Sequence, residues 1–95
     1  MIKSFCDKRT ALLVREGGRV PKGMPPDIVR TAKRKLIQLD KAQILEDLRY
    51  PPGNQLESLI GDREGQHSIR VNDKWRICFR WDNGDAYDVE FCDYH

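Results

Sequence analysis

The sequence predicts an α+β domain: an antiparallel-dominated sheet of four to five strands with two to three helices packed on one face. Three observations carry this. Lys74 to Trp81 alternates cleanly, with Trp75, Ile77, Phe79 and Trp81 on one side and Lys74, Arg76, Cys78 and Arg80 on the other. That is the period of a half-buried strand, apolar side to the core and basic side to water. The flanking stretches read the same way, so the chain from Gln66 onward is three consecutive antiparallel strands and a terminal tail. Upstream, Val29, Ala32, Leu36 and Leu39 recur at i, i+3, i+7 and i+10, one apolar stripe along a helix.

In chain order, Met1 to Phe5 is a short strand. Asp7 caps a first helix that runs to about Glu16 and carries Ala11, Leu12, Leu13 and Val14; Gly17-Gly18 ends it. Arg19 to Pro26, with Pro21, Gly23, Pro25 and Pro26, is a loop. Pro26 opens the second helix, with Asp27 in its first turn, and the helix reaches about Leu39. Arg30, Lys33, Arg34 and Lys35 lie mostly away from its apolar stripe. A turn of helix, Gln43 to Leu48, follows; Pro51-Pro52-Gly53 breaks the chain before a strand at Leu56 to Ile60 and a polar hairpin loop at Gly61 to Gly65.

Parity sets the strand pairing, because opposed residues point the same way. With Tyr87, Val89 and Phe91 as the inward set of the last strand, a two-residue Asn83-Gly84 turn sets Phe79 against Asp88 and fails. A three-residue loop, Asp82-Asn83-Gly84, sets Phe79 against Tyr87 and Ile77 against Val89. The preceding strand, with His67, Ile69 and Val71 inward, is joined by Asn72-Asp73-Lys74. This sets Val71 against Trp75 and therefore Arg70 against Arg76, with Glu90 expected beyond Arg76. Two guanidinium groups side by side on one sheet face have the look of a site for an anion. His67, Trp75 and Trp81 fall on the apolar phase and read as structural.

Ninety-five residues make one domain, 1–95. No apolar run approaches the ~20 residues of a membrane span, and no signal-peptide pattern is present, so a cytoplasmic protein without a membrane partner is expected. Cys6, Cys78 and Cys92 are odd in number and lack CxxC spacing, which argues against a disulfide framework or a zinc site. Residues 1–48 hold eleven Lys and Arg against six Asp and Glu, whereas residues 49–95 hold six against nine. The basic half suits a polyanion or an acidic partner.

The ordered set of MIKSF at the start, L-E-S-L-I-G-D at 56–62, S-I-R-V-N at 68–72, W-R-I-C-F at 75–79 and a terminal D-Y-H resembles the plasmid-maintenance-killer toxins of HigB type, within the RelE/ParE superfamily, over essentially the whole chain. The resemblance implies a type II toxin with a helix-turn-helix, HigA-type antitoxin, contact with DNA only through that antitoxin, and metal-free, cofactor-free cleavage of mRNA in the ribosomal A site. It places the functional positions at Arg70, Arg76, Asp93, Tyr94 and His95. Two departures stand out: active relatives tend to carry Lys where this chain has Ile60 and often His where it has Glu57, so a weakened endoribonuclease is expected. The rivals are a non-cleaving binder of the ribosome or of a topoisomerase, and an inactive toxin that serves as antitoxin co-repressor.

Metal-free RNA cleavage must deprotonate the 2′-hydroxyl, stabilise charge on pentavalent phosphorus and protonate the 5′-oxygen. Arg70 and Arg76 suit the second demand, being planar, permanently charged and bidentate. His95 suits acid or base, Asp93 base or orienting partner, and Tyr94 stacking on a base or bonding to a phosphate. Arg30, Lys33, Arg34 and Lys35, with Lys74 and Arg80, are the candidates for docking on ribosomal RNA, where phosphate contacts position without reading sequence.

Overall fold

A computed structural model of the protein describes residues 1–14 and 24–93. The helices are α1 (Lys8–Val14) and α2 (Pro26–Lys41); the strands are β1 (Glu57–Ser58), β2 (Gln66–Arg70), β3 (Trp75–Asp82) and β4 (Asp85–Asp93). They form one antiparallel meander in the order β1-β2-β3-β4. Short 3₁₀ turns at Leu45–Arg49, Pro52–Asn54 and Gly61–Arg63 complete the chain. The expected end of the first helix at Glu16 and most of the Arg19–Pro26 loop lie outside the described residues. Among the described residues no helix is long and apolar enough to cross a membrane.

The core lies between the helices and one sheet face. Val29, Ala32, Leu36 and Leu39 are buried, as their spacing requires, against Ile69, Ile77, Phe79, Val89 and Phe91. Trp75 stacks on Phe91 at 4.7 Å between ring centres, and Trp81 meets Phe79 edge-on. Asp7 caps α1: its Oδ1 accepts from the Thr10 N–H at 2.7 Å.

β4 is an edge strand, and the N-terminal segment covers it. Rather than a regular strand, Met1 to Phe5 makes two isolated parallel bridges, Ile2 with Ala86 and Phe5 with Val89. Further along, α1 supplies the Thr10 hydroxyl to the Phe91 N–H (2.9 Å) and the Arg9 guanidinium to the Phe91 carbonyl (3.0 Å). Backbone groups that would otherwise offer themselves to another strand are thereby satisfied.

The β2–β3 register is the expected one: Arg70 lies opposite Arg76, and the Val71 N–H reaches the Trp75 carbonyl. The β3–β4 register is not. The turn holds two residues, with Asn83 at φ 52° and Gly84 at φ 86° and Asp82 paired with Asp85. The parity problem is solved by a bulge instead. Between the pairs Arg80–Tyr87 and Cys78–Glu90, one residue of β3 faces two of β4, and Asp88 adopts φ 52°. Val89 and Phe91 thus return to the core, while Ala86 takes the inward place opposite Trp81 and Tyr87, expected inside, stands on the other face beside Arg80.

Two more expectations change on that other face. The basic side of β3 was expected to meet water, yet Arg76 is 7 % exposed and Cys78 wholly buried. The reason is the chain on both sides of β1, a strand of two residues where five were expected: Gln55, before it, brings its carbonyl to Arg76. Leu59 packs on Cys78 and Cys92, and Arg63 lies over the same face, its Nη1 2.9 Å from Glu90 Oε1. Glu90 therefore pairs with Arg63, not with Arg76.

Candidate active site

The strand register brings Arg70 and Arg76 together. Period-two alternation puts them on the face away from the helices, next to the Ser68–Cys78 pair. Arg76 is fixed from two sides: its Nε–H donates to Ser68 Oγ at 2.8 Å, and an Nη2–H donates to the Gln55 carbonyl at 2.6 Å. Gln55 turns that carbonyl inward because it sits at φ 45°, directly after Pro-Pro-Gly-Asn. Glu57 Oε2 lies 3.9 Å from the same guanidinium. Arg70, part-exposed, is hydrogen-bonded and ion-paired to Asp73, whose carboxylate is almost fully in water and so is easily displaced by a competing anion.

The remaining positions spread out. Asp93 ends β4 opposite Trp75, which puts it in phase with the core face; its carboxylate lies 3.6 Å from Lys74 Nζ. Lys74 also stands 5.8 Å from the centre of the Trp75 ring. Tyr94 and His95 lie outside the described residues. Arg80 is at the far end of β3, paired with Asp88 at 3.5 Å, and does not join the arginine pair. On α2, Arg30 and Arg34 are exposed, whereas Lys33 and Lys35 are partly buried. Ile60 stands 88 % exposed.

Two contributors were missed from sequence. Ser68 had a signal: it lies two residues before Arg70 on the same strand face. The Gln55 carbonyl had none, since a backbone acceptor carries no residue type. His67, taken as structural, bonds Ser58 Oγ through Nδ1 (3.2 Å) and packs its ring 5.9 Å from Phe79; burial lowers its pKa from the ordinary value. Among the described residues no cluster of His, Cys, Asp or Glu could hold a metal ion.

This arrangement can grip an anion: two permanently charged forks stand on one rigid ladder, one of them buried and held in place by hydrogen bonds.

The sequence comparisons agree with one another. Residues 3–95 match the family described as "RelE-like toxin of type II toxin-antitoxin system HigB". The chain is 41% identical over 95 residues, the full length of both, to a protein named "Endoribonuclease HigB" from Proteus vulgaris. It is 48% identical over 63 residues, 66% of each chain, to "Toxin HigB-1" of Vibrio cholerae. Its fold is similar to a chain of the YoeB–YefM complex from Staphylococcus aureus, with a TM-score of 0.61 at 16% identity, covering 100% of this chain and 98% of the other. The protein belongs to the HigB-like family of RelE-like toxins of type II toxin–antitoxin systems.

Proposed function

We propose that the chain is a single toxin domain, residues 1–95, that cleaves mRNA in the A site of the cytoplasmic ribosome without a metal or cofactor, and that a HigA-type helix-turn-helix antitoxin neutralises it. Contact with DNA runs through that antitoxin. Its family and the endoribonuclease-named relative support the reaction class. The observation that carries it to these residues is the register pair of Arg70 and Arg76, with the latter clamped by Ser68 and Gln55.

In the reaction, the 2′-hydroxyl loses its proton and attacks the adjacent phosphorus, and the 5′-oxygen leaves with a proton. Arg70 and Arg76 stabilise the charge that builds on the phosphoryl oxygens. His95 acts as acid or base, with Asp93 as base or orienting partner, and Tyr94 stacks on a base or bonds to a phosphate. Arg30, Lys33, Arg34, Lys35, Lys74 and Arg80 dock on ribosomal RNA.

Primer extension on programmed ribosomes tests the proposal. Discrete cuts within A-site codons are expected, together with growth arrest on expression of the chain alone; both disappear in Arg76→Ala and on deletion of His95 while the fold survives. Growth arrest without cuts would replace the nuclease by a binder.

A further inference from the structure

The basic residues of α2 do not form a single surface. Arg30 and Arg34 are exposed, but Lys35 is half-buried on the flank of the apolar stripe, and its Nζ donates to the side-chain oxygen of Asn54. Asn54 has no exposed surface. Its amide nitrogen lies within hydrogen-bonding distance of the Leu48 carbonyl (3.0 Å), the Tyr50 carbonyl (3.2 Å) and Gln38 Oε1 (3.2 Å). With the amide nitrogen engaged by those acceptors, the side-chain oxygen is left to hold the Lys35 ammonium. The next residue, Gln55, turns its carbonyl the other way, to Arg76. One dipeptide thus fastens a cation from α2 and a cation from β3.

Burial first, then the fields of Arg34 and Arg70, push the Lys35 ammonium below its usual pKa. Arg70 is ion-paired with the exposed Asp73, and the exposed Glu57 lies 3.9 Å from Arg76; among the described residues Lys35 has no acidic partner. Keeping a half-buried ammonium beside like charges costs free energy that a bound anion returns.

We propose that Lys35 is a substrate-binding residue beside the arginine pair, taking the phosphate of the RNA strand next to the one held by Arg70 and Arg76. This rests on the nuclease reading above and moves Lys35 from the docking face into the site. Its contribution is to binding, before and during cleavage alike, so it lowers KM and leaves kcat alone.

Two measurements test it. In the first, wild-type protein with ¹³C-methylated lysines is titrated with a short single-stranded oligoribonucleotide whose 2′-hydroxyls are methylated and which therefore cannot be cut. The Lys35 signal is expected to shift in step with saturation, and its titration to move to higher pH. In the second, Lys35→Met keeps the aliphatic stem and removes the charge. KM on programmed ribosomes is expected to rise about tenfold with kcat within about twofold. The log–log salt slope of oligonucleotide affinity should fall by about 0.7, the value for one single-strand phosphate contact. Lys35→Arg restores most of both, while Lys41→Met, the same charge change at the exposed end of α2, alters neither.

A Lys35 signal that stays put at saturation overturns the proposal. So does an unchanged KM in Lys35→Met, and a lower melting temperature alongside that unchanged KM would leave Lys35 as a support for Asn54 only. Failure of the nuclease reading shows separately, as wild-type protein that cuts nothing while its Lys35 signal still moves with the uncleavable strand.

Discussion

The Nε–H of Arg76 donates to Ser68 Oγ at 2.8 Å, across the β2–β3 ladder. Ser68 faces Cys78 and Arg76 faces Arg70, so serine and arginine are diagonal neighbours on one face, and both are buried. The bond orients a guanidinium plane rather than merely placing a charge. Ser68→Ala is therefore expected to slow cleavage about tenfold, matching the ~1.5 kcal/mol of a hydrogen bond to a charged group, with KM little changed. Wild-type kcat in that variant would show that the other partners of Arg76, Gln55 among them, suffice to hold the fork.

Arg76→Lys keeps a positive charge but loses the fork that meets Ser68 and Gln55 in different directions. A point charge cannot satisfy both partners and a phosphate. Cleavage should fall by about 100-fold, roughly 3 kcal/mol in the barrier, nearly as far as in Arg76→Ala. Single-turnover rates on programmed ribosomes measure this, and near-normal activity of the lysine variant would mean that net charge is all the position supplies.

The β3–β4 hairpin makes a stability prediction. Gly84 sits at φ 86°, and a Cβ there would come within 3.3 Å of the Gln43 carbonyl oxygen. Gly84→Ala should cost about 1–3 kcal/mol, from left-handed strain plus that contact. At the bulge, Asp88 tolerates φ 52° as an Asp can, its N–H bonded to Ser4 Oγ at 2.8 Å. Asp88→Val, β-branched, should lose more stability than Asp88→Gly. Urea unfolding ranks the three, and a Gly84→Ala protein as stable as wild type would contradict the turn geometry.

What the sequence revealed, and what it hid, divides along physical lines. The α2 stripe and the facing of Arg70 and Arg76 were legible because both follow from a period applied within one segment and its neighbour. The β3–β4 register was not, because alternation assumes one residue opposite one, and the inserted residue at Asp88 is what lets the Asn83-Gly84 turn and the inward Val89 coexist. Nor was the burial of Arg76, met by the Gln55 carbonyl, and of Cys78, covered by Leu59; it is a matter of chain path rather than local pattern. At the site, the arginine pair could be read; its clamp, half of it a backbone carbonyl, could not.

His67 offers a pH test. Burial lowers its pKa in the folded protein, so the unfolded chain binds a proton first as pH falls. Its effect on stability is thus constant above the ordinary histidine value of about 6.5, and stability is lost as pH drops from there toward the folded value. His67→Gln should flatten the difference between unfolding free energies at pH 7 and in that lower window. If both proteins lose stability in parallel over the window, His67 is not the group responsible.

Asn54 links the Lys35 ammonium of α2 to the loop that holds Arg76. Its side chain receives Lys35 and donates toward the carbonyls of Leu48 and Tyr50, while the following carbonyl holds Arg76. Asn54→Leu is close to the same volume and would be mild if packing alone mattered. But it strips the buried Leu48 carbonyl of its Asn54 donor and the half-buried Lys35 ammonium of its acceptor, while the Tyr50 carbonyl keeps Gln38, and each unsatisfied group costs ~1–3 kcal/mol. The expected result is a loss of about 2–4 kcal/mol in unfolding free energy. Cleavage should also fall in the fraction that remains folded, because Gln55 no longer presents its carbonyl at a fixed place. Asn54→Asp makes the complementary case: the carboxylate still receives Lys35 but faces the carbonyls without a donor, so stability falls while the lysine stays engaged. Equal stability of wild type and Asn54→Leu by denaturant titration would show that this loop is held by its prolines and packing rather than by the amide.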